Sequence, residues 1–107
     1  MPQILGHNYI GGTRSAAGSI VLQSHDASTG EALPFSFIQA TEAEVHAAAQ
    51  AAAAAFPAFR SMPATRRADF LEAIAAQLDA LDNEFIALVT RETALPSARI
   101  QGERART

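Results

Sequence analysis

A chain of 107 residues with a net charge of −3 and a pI near 5.5 carries no basic footprint for nucleic acid or for an anionic membrane surface. Its hydrophobic fraction of 49% is globular, but much of that is alanine, which buries little area, so the core available from Val, Ile, Leu, Met and Phe is thin. There is no cysteine, and all eight cationic side chains are arginine, which excludes disulfides, thiolate nucleophiles, sulfur-built zinc sites and lysine Schiff bases from these residues.

The opening stretch MPQILGHNYIGG has no charged region leading into an apolar run, so no signal peptide is expected. The richest later run, AAAQAAAAAF, is too short and too weakly apolar to span a bilayer. A cytoplasmic protein with no membrane and no nucleic-acid partner is the expectation. The abundance of Ala, with Arg in place of Lys, matches the usage of GC-rich bacterial genes.

Residues 1–40 read as extended structure and residues 41–107 as helical. Asn8-Tyr9-Ile10 predicts a first strand, followed by a turn at Gly11-Gly12, where glycine reaches positive φ at little steric cost. Ser19 to Gln23 is apolar and β-branched and predicts a second strand. Asp26 to Gly30 supplies side-chain acceptors and a closing glycine for the next turn. Leu33 to Gln39 alternates well enough for a third strand, which Pro34 places at a sheet edge or a strand start.

At Thr41 the period changes. Thr41-Glu42-Ala43-Glu44 is a capping box, in which hydroxyl and carboxylate each satisfy an orphan backbone N–H. Val45, Ala49, Ala52 and Phe56 follow at helical spacing and form one face. Pro57 disfavours helix at Phe56, so this helix is expected to end there. Pro63 suits the first position of a second helix, whose stripe is Arg67, Leu71, Ile74, Leu78 and Leu81, widened by Phe70. Asp82 or Asn83 caps a third, with Phe85, Leu88 and Val89 facing inward. Leu95-Pro96 ends it and opens a fourth, which reads as incomplete because no stop signal follows through Thr107. The fold class is α+β: a β-hairpin or meander, then three to four antiparallel helices.

A search for chemistry finds little. His7, His25 and His46 are scattered, and nothing in their spacing brings them together as zinc ligands or bases. Glu42 and Glu44 oppose the positive end of a helix dipole, a structural role. Arg66-Arg67 lies beside Asp69, its expected pairing partner. Gly11-Gly12 lacks the G-x-G-x-x-G spacing of a nucleotide loop, and no helix begins directly after it. Arg99, Arg104 and Arg106 form a cationic cluster in which Arg99 and Glu103 stand four apart and are expected to pair. Composition and spacing reach a soluble α+β module without a visible active site.

The order of the motifs adds more. "NYIGG", then "HDASTGE", then "AFPAFRSMPATRRADFLEAIAAQLDALDNEFIALVTRET" resembles the N-terminal portion of the NAD(P)-dependent aldehyde dehydrogenase superfamily. The matching residues are Ile10-Gly11-Gly12, Asp26 to Glu31, Ala55-Phe56-Pro57-Ala58-Phe59, and the spacing Arg67-Leu71-Ile74-Ala75. Where that family usually continues E-T-G-K-P, this chain has Glu92-Thr93-Ala94-Leu95-Pro96. That departure, with "PSARIQGERART" after it, resembles the branch that oxidises 2-oxoglutarate semialdehyde, often with NADP.

The resemblance implies that these residues are an N-terminal scaffold, with an α/β cofactor domain and a catalytic domain elsewhere in a longer, homo-oligomeric enzyme. The family's cysteine nucleophile, glutamate base and asparagine oxyanion donor have no counterpart among these residues. No catalytic, cofactor-binding or metal-binding role is therefore carried over to any position, and NADP or NAD would belong to the whole enzyme. For the last helix the resemblance suggests that Arg99, Arg104 or Arg106 could meet an acidic substrate, set against plain ion pairing on an outer face. The competing reading is a self-contained helical interaction module without catalytic activity, which would melt cooperatively on its own. The aldehyde dehydrogenase reading instead predicts exposed apolar faces, because the third and fourth helices lack neighbours.

Overall fold

The computed structural model describes residues 3–107. Four short strands come first: β1 (Asn8–Ile10), β2 (Thr13–Ser15), β3 (Val21–His25) and β4 (Ala32–Ile38). They form two separate antiparallel ribbons, β1 with β2 and β3 with β4, where the sequence had suggested three strands in one hairpin or meander. The unforeseen strand is β2, whose Thr-Arg-Ser carries no apolar alternation. It is set by the two-residue Gly11-Gly12 turn, whose φ values of 57° and 82° match the twist of a tight hairpin and place Tyr9 opposite Arg14. The second ribbon pairs Val21 with Ile38 and Leu22 with Phe37, with a register break between Gln23 and His25.

The segment leading into β1 is tied to β4 by the Ile38 N–H, which donates to Gly6 O at 2.8 Å. The Gln39 N–H bond to Ile20 O at 2.9 Å extends the β3–β4 ladder by one rung. The Asn8 side-chain amide donates to Ile38 O at 3.1 Å.

Four helices follow: α1 (Glu42–Ser61), α2 (Ala64–Asp79), α3 (Asn83–Thr93) and α4 (Ser97–Arg106). Helix α1 does not end at Phe56 but runs through Pro57 to Ser61. A proline inside a helix removes one hydrogen bond and costs about 3 kcal/mol, yet the alanines ahead of it are the best helix formers. The turn beyond it is anchored as well: Phe59 meets Phe70 of α2 edge to face, with ring centroids 6.0 Å apart, and the Met62 N–H caps Phe59 O at 3.2 Å. Pro63 and Pro96 each stand one position ahead of their helix rather than inside it. Asp82 caps α3 by accepting from the Phe85 N–H at 3.2 Å.

Helix α3 stops at Ala94, whose φ of 58° is left-handed. That is the position where the resembling family carries glycine, and an L-residue with a Cβ pays roughly 1 kcal/mol there. Ala94→Gly is expected to stabilise the α3–α4 corner by up to about 1 kcal/mol, read as slower exchange of the Ala94 amide, which donates to Thr90 O at 2.9 Å.

The buried apolar residues are few: Leu33 at 1% exposure, Ile86 at 4% and Ile100 at 7%. Of these, Ile86 lies beside the inward-facing residues predicted for α3, and Ile100 is the buried residue of α4, which packs on α3. A compact domain of about 100 residues has a radius of gyration near 13 Å; here it is 16.9 Å. A compact monomer of this mass exposes about 5,700 Å², whereas this chain exposes 7864 Å².

Candidate functional site

The histidines sit on separate elements and are exposed: His7 ahead of β1, His25 at the end of β3, His46 on α1. Among the described residues no group of three His, Cys, Asp or Glu side chains could hold a metal ion, and no helix is long and apolar enough to cross a membrane. The expected pairing of Arg66-Arg67 with Asp69 does not form. Arg67 turns back instead and donates from Nη1 to Met62 O, because the carbonyls at the end of α1 have no helical partner.

The cationic cluster on α4 is spent internally. Arg99 Nε reaches Glu103 at 2.8 Å, as its spacing predicted, and Arg106 binds the other carboxylate oxygen. Together Arg106 and Arg99 hold the Glu103 carboxyl below its ordinary pKa. Arg104 donates to Leu81 O at 2.6 Å, tying α4 to the link between α2 and α3.

Two polar clasps join the strands to the helices. In the first, Glu44 is nearly buried and closes the predicted capping box: Thr41 N–H donates to Oε2 at 2.8 Å and the Thr41 hydroxyl at 3.2 Å. Its Oε1 accepts from the Ser15 hydroxyl and from the Ala17 N–H at 3.2 Å. This one carboxylate thus fixes the start of α1 and pins the end of β2 to it. The Ser15 hydroxyl, then the backbone N–H of Thr41 and of Ala17, hold it down to about pKa 2. In the second clasp, the Asp26 turn docks on the end of α3. The Ala27 N–H donates to Arg91 O at 2.8 Å, Arg91 Nε meets Asp26 Oδ2 at 3.2 Å, and the Ser24 hydroxyl donates to Glu92. The Ser28 N–H and then Arg91 lower the Asp26 pKa.

What remains is surface. Phe56, Phe70, Leu71 and Ile74, predicted to face a core, are 42–64% exposed. Ile20, Val21 and Leu22 are each at least half exposed. The uncovered faces therefore lie on α1, α2 and β3, not on the third and fourth helices as expected, because α3 and α4 pack on each other and each buries an isoleucine, Ile86 and Ile100. The total surface exceeds that of a compact monomer by on the order of 2,000 Å², and the exposed apolar side chains on it mark contact with another protein body.

The second clasp brings two sequence motifs together, the D-A-S-T-G-E turn and the R-E-T end of α3, and comparison with known proteins gives that arrangement a family. A model described as "Aldehyde dehydrogenase family" matches residues 15–107. The chain belongs to the aldehyde dehydrogenase family. It is 42% identical over 106 residues to "Alpha-ketoglutaric semialdehyde dehydrogenase 2" of Azospirillum brasilense, covering 98% of this chain and 20% of that protein. It is 39% identical over 101 residues to "Alpha-ketoglutaric semialdehyde dehydrogenase" of Acinetobacter baylyi, covering 94% of this chain and 19% of that protein. The chain thus spans about a fifth of the length of these curated relatives.

An aldehyde dehydrogenase segment with so much uncovered apolar surface should not behave as a finished domain. Residues 1–107 in isolation are expected to bind an apolar dye strongly and to sediment as associated species at micromolar concentration. A compact, dye-free monomer in the ultracentrifuge would contradict this.

Proposed function

We propose that residues 1–107 are the leading scaffold of an NAD(P)-dependent aldehyde dehydrogenase that oxidises 2-oxoglutarate semialdehyde to the corresponding acid, and that they are inactive alone. The observation that carries the reading is the pairing of near-complete similarity, 98% of this chain, with a surface that lacks its cover. The substrate follows from the printed names of two relatives and from the Glu92–Pro96 departure.

The residues in hand fit scaffold and not chemistry. With no cysteine in the chain, the thiolate that attacks an aldehyde in this family must be supplied from elsewhere. The Gly11-Gly12 turn opens into β2 and not into a helix N-terminus, so it makes no dinucleotide cradle of the familiar kind. NADP or NAD, the catalytic groups and the homo-oligomeric contacts belong to the rest of the polypeptide. Arg99, Arg104 and Arg106 are structural in this reading, since each already has a partner.

The test is a chimera in which residues 1–107 replace the matched stretch of the A. brasilense enzyme. Formation of NAD(P)H from 2-oxoglutarate semialdehyde at within roughly tenfold of the parent kcat/KM is expected, a loss of no more than about 1.4 kcal/mol in transition-state stabilisation. The isolated segment should give none. A soluble, assembled chimera without turnover would falsify the reading.

A further inference from the structure

The β3–β4 ribbon has two edges, and among the described residues only one is covered. On the β4 side, Ile38 gives its N–H to Gly6 O and its carbonyl accepts from Asn8. Both polar groups of Ile38 therefore point away from β3. Its cross-strand partner is Val21, and in an antiparallel ladder directly opposed residues either both face the ladder or both face away from it. The Gln39 N–H bond to Ile20 O sets the same phase, with Ile20 bonded inward and Val21 outward. The N–H and C=O of Val21 thus lie on the open edge of β3.

From Ser19 to Gln23 that edge lacks the features that keep a strand solvated. Free edges are usually blunted by charge, proline or a bulge, and are polar on at least one face. The run Ser19-Ile20-Val21-Leu22-Gln23 has no charge and no proline. The register break comes only after Gln23. Because successive side chains alternate between faces, exposed Ile20 and Leu22 on one face and exposed Val21 on the other make β3 apolar on both. Such patterning belongs to a strand inside a sheet with both faces covered.

We propose that the open edge of β3 is a strand-addition site, completed by a strand from the part of the same polypeptide outside residues 1–107. This rests on the aldehyde dehydrogenase reading. A second copy of the chain is the rival occupant. Edge-to-edge pairing of two five-residue strands spans only about 17 Å and leaves both apolar faces of β3 open, as well as the α1 and α2 faces. Exposed apolar side chains on three elements, Phe56 on α1, Phe70, Leu71 and Ile74 on α2, and Val21 and Leu22 on β3, call for a body and not a second ribbon, and the curated relatives extend about five times as far as the matched stretch.

Hydrogen exchange at the Val21 amide in the active chimera tests this. The expected result is exchange slowed at least about 100-fold relative to an unprotected amide, and unchanged when the oligomer is dissociated. An active chimera whose Val21 amide exchanges within about tenfold of the unprotected rate overturns the proposal while leaving the enzyme reading intact. Protection that disappears on dissociation overturns it in favour of a second copy. An inactive but soluble chimera defeats the enzyme reading, and the proposal with it. If the chimera is insoluble, the residue aligned with Val21 in the A. brasilense enzyme takes the same measurement, and free exchange there also overturns the proposal.

Discussion

Replacing Gly6 with alanine should release the Ile38 amide to solvent, with exchange in the chimera accelerating by 100-fold or more. Two effects combine at this position. Gly6 has a φ of +68°, a left-handed conformation that costs an L-residue roughly 1 kcal/mol. A Cβ built there would also lie 1.9 Å from Ser36 O and 2.9 Å from the Phe37 Cα. Both are backbone atoms of β4, so no side chain can rotate aside and the leading segment must lift off the strand. Overpacking of this kind costs about 1–3 kcal/mol and occasionally more, which brings the total to roughly 2–4 kcal/mol. The Ile38–Gly6 hydrogen bond is the first casualty, and its amide is the reporter. Gly18 gives a control with one effect and not two. Its φ is ordinary, but a Cβ there would stand 2.1 Å from Gln39 O, so Gly18→Ala should open the Gln39–Ile20 bond while leaving Ile38 protected. Unchanged exchange at Ile38 in Gly6→Ala would mean that the leading segment does not sit on β4 at all.

Both glycines show where the sequence was readable and where it was not. Local signals carried well: the Thr41–Glu44 box, the Gly11-Gly12 turn, the Asp82 cap and the Arg99–Glu103 spacing all involve residues within four positions of each other. Close backbone approach between Gly6 and Ser36 has no such local trace, and neither does β2, a strand created by its turn and not by its own side chains. Pro57 misled because its local penalty is real, but the Phe59–Phe70 contact that offsets it comes from another helix. The apolar stripe of α2 has helical periodicity, and periodicity reports that a face is destined for burial without saying against what. Its exposure here is the physical form of that gap. For the candidate site the lesson runs the same way. Glu44 was legible as a cap, while its second task, gripping Ser15 and Ala17 across 29 and 27 residues, depends on where the first hairpin comes to rest.

Glu44→Gln should undock that hairpin and fray the start of α1 together, although the exchange is nearly isosteric. Every group that faces the carboxylate from a backbone is a donor: Thr41 N–H on one oxygen and Ala17 N–H on the other. A carboxylate accepts at both ends, whereas an amide must present its NH₂ to one of the two donors. The result is a buried donor facing a donor, which is worse than losing a hydrogen bond outright. Thr41→Ala, which removes only the cap hydroxyl, should cost about 1 kcal/mol and leave the hairpin attached through Ser15 and Ala17. The pH dependence separates charge from shape. Glu44 titrates at about 2 in the folded chain against an ordinary 4.5, so its contribution is fully present above 4.5 and is lost as pH falls through 2. Protection of the Ala17 amide in the chimera should decline across that window in the parent sequence. In Glu44→Gln it should already be low at neutral pH, with no decline of its own. If Gln supports the hairpin as well as Glu does at pH 7, the ribbon is held to α1 by packing and not by this carboxylate.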